Sequence, residues 1–121
     1  MPKTLLIVDD STVMRMTVGG ILREAGYVVV EADNGQVALD KASQIQVDLI
    51  VCDVNMPVMD GLTFSKIVKE MPQYRFVPII MLTTVTGQAE MAAGKAAGVK
   101  AWMVKPFDKE KLLGAVSKLL G

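Results

Sequence analysis

The sequence predicts an α/β fold built on a parallel sheet with helices on both faces. Three observations carry this. Short apolar runs alternate with stretches of helical periodicity five times along the chain. The apolar runs are nearly continuous rather than alternating, as in strands buried on both faces. Gly, Pro or Asn stands at most of the junctions.

The elements follow in order. "TLLIV" (Thr4–Val8) is a short buried strand. From Ser11, a plausible N-cap, Met14, Val18, Ile21, Leu22 and Ala25 recur at spacings of three and four, and Gly26 stops the helix. "VVVEA" (Val28–Ala32) is the second strand, and Asn34-Gly35 turns out of it. Ala38, Ala42 and Ile45 mark a second helix. Leu49–Asp53 is the third strand. Phe64, Ile67, Val68 and Met71 mark a third helix, closed by Pro72. Pro78–Thr84 is the fourth strand, Gln88–Ala97 an alanine-rich helix stopped by Gly98, and Ala101–Val104 the fifth strand. Leu112, Val116, Leu119 and Leu120 line the last helix. Strands linked through helices make βαβ units, and right-handed crossovers leave few topologies.

Composition excludes several functions. The 121 residues suit one domain with a full core, 51% apolar and 21% charged. The net charge is zero, so no overall basic field draws nucleic acid or anionic lipid. There is no histidine, which removes His-based triads and zinc sites made from this chain alone. Cys52 is the one cysteine, so no disulfide forms within the chain, and a small buried thiol is its simplest reading. The start "MPKTLLIVDD" lacks the form of a signal peptide, and no run approaches the roughly 20 apolar residues of a membrane span. A cytoplasmic monomer without membrane insertion is the expectation.

Ligands of open parallel sheets bind beyond the carboxyl ends of the strands. There the first strand ends in Asp9 and Asp10, the third in Asp53, the fourth in Thr83 and Thr84, and the fifth in Lys105. Each has a plain reading: a helix cap, a loop acid, a turn hydroxyl, a surface charge. Together they are harder to set aside. Carboxylates about 5 Å apart at an effective dielectric near 20 repel by on the order of 3 kcal/mol per pair. A cation or a basic side chain belongs among them. Carboxylates without His or thiolate favour a hard ion, Mg²⁺ before Zn²⁺. With a hydroxyl and a lysine, the set suggests phosphoryl transfer, in which an Asp can be the covalent acceptor.

The chain resembles the receiver domain of bacterial two-component response regulators. The residues that carry this are "LIVDDS" (Leu6–Ser11), "DVNMPVMDG" (Asp53–Gly61), "PIIMLTT" (Pro78–Thr84) and "VKPF" (Val104–Phe107). Any one is weak; in this order and spacing they are specific, and they cover essentially the whole chain, residues 1–121. The resemblance implies a flavodoxin-like sheet of order 2-1-3-4-5. It implies that Asp53 accepts the phosphoryl group from a histidine kinase. Mg²⁺ would be held by Asp10 directly, by Asp9 mostly through water, by Asp53, and by the backbone carbonyl of Asn55. Thr83 matches the switch hydroxyl and Lys105 the lysine that meets the phosphoryl group. Thr84 stands where the family usually has a small residue. The Lys105–Pro106 bond resembles one that is cis in the family. Trp102 occupies the aromatic switch position, usually Tyr or Phe; this departure removes the hydroxyl, and core filling is its alternative.

With no output domain in view, the chain resembles a stand-alone regulator, and "DDSTVMRM" and Asn55 suggest the chemotaxis type. Its protein target would bind the face of the fourth helix, fifth strand and fifth helix, including Gln88, Met91, Lys95 and Lys100, unless Met91 is buried. It would act as a signalling protein, by binding: it would catalyse its own phosphorylation and dephosphorylation but would not otherwise be an enzyme. Three other readings stay open. A phosphotransfer relay without a target shares every motif. A Mg²⁺-dependent phosphatase with an Asp nucleophile usually carries an acid two residues on, where this chain has Asn55. A flavin module shares the architecture, but the acidic edge would repel its phosphate.

Overall fold

The computed structural model describes residues 2–121. Five strands and five helices alternate: β1 Thr4–Val8, α1 Thr12–Glu24, β2 Val28–Ala32, α2 Gly35–Gln44, β3 Leu49–Cys52, α3 Gly61–Glu70, β4 Ile79–Thr83, α4 Gln88–Ala96, β5 Ala101–Val104 and α5 Lys109–Leu120. The strands form one parallel sheet in the order β2-β1-β3-β4-β5. The α/β class and the strand order are those expected.

Side-chain alternation along the central strands divides the core in two. Leu6, Val8, Ile50, Cys52, Ile79 and Met81 face one side, where Ala38 and Ala42 of α2 and Phe64 and Val68 of α3 close over them. Leu5, Ile7, Leu49, Val51, Ile80 and Leu82 face the other, under Val18 and Leu22 of α1 and Leu112 and Val116 of α5. All residues of β3 and β4 are buried, which is why these strands read as unbroken apolar runs.

Several boundaries differ from the sequence reading. Asp53 lies one residue past β3, with its amide still donating to the Val8 carbonyl of β1 at 2.9 Å. Pro78 and Thr84 fall outside β4, and Ala97 is the C-cap of α4. Asn34-Gly35 is a helix start, not a free turn: the Asn34 side chain accepts from the Val37 amide at 2.9 Å and caps α2. Ile45 and Met71 are extended C-caps, and Ile45, Ala25 and Ile67 are exposed. Pro72 both closes α3 and opens a single 3₁₀ turn, Pro72–Tyr74, whose buried Tyr74 hydroxyl reaches the Ala42 and Ile45 carbonyls. Gly26 does end α1, at φ +99°.

Candidate functional site

The sheet register places the acids together. Val8 pairs with Cys52, so Asp9 and Asp53, the next residue on each chain, leave the sheet side by side. Asp9 and Asp53 are buried and Asp10 is exposed. Oxygen atoms of the three carboxylates lie within 4.8 Å of one another. Such a set of hard oxygen ligands fits Mg²⁺.

Thr83 pairs with Val104 across the far edge of the sheet, and Lys105 follows. The Lys105 amide donates to the Thr83 carbonyl at 2.9 Å, which holds β5 in place to its last residue. From there Lys105 Nζ reaches Asp53 Oδ2 (2.8 Å) and Asp9 Oδ2 (2.9 Å). The two pairs answer the repulsion the sequence implies. Burial pulls the Lys105 pKa down, but the hydrogen bonds that its ammonium donates to Asp53 and Asp9, and the charges of those two acids, outweigh it, and the net shift is upward. Lys105 is therefore a fixed ammonium at neutral pH. The Lys105–Pro106 bond is cis.

The other acid oxygens have lighter duties. Asp9 Oδ1 accepts from the Ser11 amide at 2.9 Å, and Asp53 Oδ1 accepts a long bond (3.4 Å) from the Asn55 amide. Asn55 is exposed beside the cluster. Asp60 caps α3 through the Thr63 amide (2.8 Å). At Gly61 a Cβ would lie 2.0 Å from the Asp53 carbonyl oxygen, so this residue has no room for a side chain and lets α3 start against the loop.

Thr83 is fully buried at the end of β4, and its hydroxyl accepts from the Val85 amide at 3.3 Å; Thr84 is exposed. Trp102 is half-buried on β5 and packs on the side of α3 and α4. Its indole N–H donates to the Val85 carbonyl at 2.8 Å. One peptide segment at Val85 thus touches both Thr83 and Trp102. The sequence reading passed over Val85, because its role is carried by backbone atoms. It also passed over Arg15, which lies on α1 and reaches the Asp9 carbonyl. Gln88, Met91, Lys95 and Lys100 are all exposed, Met91 at 40%. Met91, Lys95, Gly98 and Trp102 line a groove of about 450 Å³ between α4 and β5. Cys52 is buried and its pKa is raised well above the usual value, by burial first and by Asp53 next, so it is an inert thiol.

Residues 5–117 match the family model of the response regulator receiver domain. The chain belongs to that family. The receiver is 38% identical to the chemotaxis protein CheY of Bacillus subtilis, with 99% of each chain covered. It is similar to the crystal structure of chemotaxis protein CheY4 of Vibrio cholerae at 44% identity and a TM-score of 0.94, over 98% of this receiver and 99% of that chain. It is also similar to the receiver domain of the sensor histidine kinase PA1611 of Pseudomonas aeruginosa (28% identity, TM-score 0.92, covering 100% and 99%), whose structure has a magnesium ion coordinated in the active-site cleft. No helix among the described residues is long and apolar enough to cross a membrane.

Proposed function

We propose that residues 1–121 act as one receiver that takes a phosphoryl group on Asp53 from a histidine kinase and signals by binding a protein target. The observation that carries this reading is the Lys105 ammonium between Asp53 and Asp9, with Asp10 completing an all-oxygen cluster. Asp9, Asp10, Asp53 and the Asn55 carbonyl would hold Mg²⁺, which when bound neutralises phosphoryl oxygens. The chain's own residues do the rest. A carboxylate oxygen of Asp53 attacks phosphorus as the phosphorus–nitrogen bond of the donor breaks, and the bonding pair leaves on the imidazole. Lys105, 2.8 Å from Asp53 Oδ2, meets the negative charge at its first appearance and needs no rearrangement to do so.

The signal then passes through Val85. In this structure the Thr83 hydroxyl holds the Val85 amide, and the Val85 carbonyl holds Trp102. When Thr83 turns to a phosphoryl oxygen it releases Val85, and the indole loses its anchor. Trp102 then repacks beside α4, and the groove it lines with Met91 and Lys95 changes shape. A target docks on this face of α4, β5 and α5. The indole lacks the hydroxyl that the family's usual tyrosine would bring, so the switch here works through packing and the N–H alone. The receiver works in the cytoplasm as a monomer, and similarity to the proteins named CheY favours chemotaxis as its pathway.

A second reading has a specific observation behind it. Receivers of sensor histidine kinases are also similar in fold and sequence, one at 32% and one at 28% identity, which suits a phosphotransfer relay. Incubation with acetyl phosphate and MgCl₂, followed by intact mass, tests the shared chemistry. The expected product carries one phosphoryl group, released by hydroxylamine and absent in Asp53→Asn. Full phosphorylation of that variant would move the acceptor elsewhere. A phosphorylation-dependent pull-down separates a signalling receiver from a relay.

A further inference from the structure

The cluster is supported from α1 by a side chain that touches no carboxylate of the cluster. Arg15 Nη1 donates to the backbone carbonyl of Asp9 at 2.6 Å, and Nη2 to the Thr12 hydroxyl at 3.3 Å. Its Nε lies 3.4 Å from Glu31 Oε1, and its side chain is 16% exposed. Glu31 is itself tethered. Its second oxygen meets Arg23 Nη2 at 3.1 Å, and its carbonyl accepts from Lys41. Gly19 lies beside this pair: a Cβ there would come within 3.1 Å of the Arg23 guanidinium and 3.7 Å of the Glu31 carboxylate.

The Asp9 carbonyl belongs to the peptide group that also carries the Asp10 amide. Peptide planarity means that a donor fixed on that oxygen also fixes the plane from which Asp10 departs. Asp9 is otherwise pinned on both sides: its amide donates to the Ala32 carbonyl (3.1 Å), and Lys105 and the Ser11 amide hold its carboxylate. Asp10, exposed, is the cluster acid without such bonds, and its direction depends on this peptide.

We propose that Arg15, aligned by Glu31, is a positioning residue for the candidate metal site: it orients the Asp9–Asp10 peptide and so presents the Asp10 carboxylate. This rests on the reading of the cluster as a Mg²⁺ site. A planar guanidinium can hold the Asp9 carbonyl and the Glu31 carboxylate at once, which a single ammonium cannot. Loss of groups that orient metal ligands typically weakens binding about 10- to 100-fold.

Charge and position act in opposite directions here, which makes the test decisive. If Arg15 acted only as a nearby positive charge, its removal would tighten cation binding. Titration of the folded apoprotein with MgCl₂, followed by Trp102 fluorescence and by calorimetry, reads affinity separately from fold stability. Arg15→Ala is expected to weaken Mg²⁺ binding about tenfold, and Arg15→Lys, which keeps the charge, to recover only part of that loss. Arg23→Ala, which frees the other side of Glu31 but leaves the Asp9 carbonyl held, is expected to stay within about twofold of the parent. Unchanged or tighter binding in Arg15→Ala overturns the proposal, and so does an equal loss in Arg23→Ala, which would mark a general loosening of α1. Absence of Mg²⁺ binding in the unmodified protein would instead overturn the metal-site reading itself, and this proposal with it.

Discussion

Lys105 shows how much one side chain can decide. It is the group that makes two buried carboxylates tolerable side by side. Lys105→Met keeps the stem and removes the charge. Leaving buried charge uncompensated is expected to cost about 3 kcal/mol, measured by urea unfolding without divalent ions. Added Mg²⁺ should return part of that loss in this variant. The pH dependence follows from the raised pKa of Lys105. A group held above its unfolded value contributes fully below that value and loses its contribution as pH rises through the folded one. Stability should therefore fall above about pH 10.4, the free-lysine value, and Lys105→Met should lack that component. At Val58 the backbone is left-handed (φ 70°) while the side chain is 81% exposed, so the branched Cβ gains little by packing. Val58→Asn is expected to stabilise the fold by about 1 kcal/mol in the same assay, since Asn enters this region more readily.

Among the elements, α3 and α4 sit against the site through glycines. Gly61→Ala would drive a Cβ into the Asp53 carbonyl, which is backbone and cannot swing aside. The start of α3 must move, at an expected cost of more than about 2 kcal/mol by thermal unfolding, with a parallel loss of phosphorylation. Gly94 on α4 is the floor beneath Trp102, where a Cβ would lie 2.7 Å from ring atom Cζ3. Gly94→Ala should push the indole off the Val85 carbonyl and shift its fluorescence toward that of an exposed ring before any phosphorylation. A spectrum identical to the parent would mean that α4 yields instead of the ring. In Thr83→Ala the Mg²⁺ response of the indole should persist, and the further response to a beryllofluoride mimic should be lost. These contacts had faint traces in the chain. Gly61 stood only as the last residue of the Asp53–Gly61 motif and Gly94 as one residue of an alanine-rich helix, since spacing along a helix does not reveal which side chain will cross from another strand.

At the scale of the whole molecule, folding gathers like charges at one sheet edge, so a divalent cation should act as a stabiliser. At a free concentration 100 times its dissociation constant, Mg²⁺ is expected to add about 2.7 kcal/mol, visible as a rise in melting temperature. Asp10→Asn should raise the stability of the metal-free protein and flatten that response. A melting temperature independent of Mg²⁺ would count against the cluster as a cation site.

The chain alone determined the α/β class, the run of five strands and five helices, and the acids, hydroxyls and lysine at the strand ends. These depend on local periodicity and on burial of central strands, which leave a direct imprint on residue order. Its ordered motifs were also enough to mark the receiver family and, through it, the strand order. Other features depended on tertiary structure. Asp53 stands one residue past β3 although its amide still reaches the Val8 carbonyl across the sheet. Lys105 chooses Asp9 and Asp53 as partners from 96 and 52 residues away. Val85 and Arg15 join the site through main-chain oxygens, their own or a neighbour's. Backbone carbonyls are the same at every position, so no pattern of side chains records which of them will be reached once the chain has closed on itself.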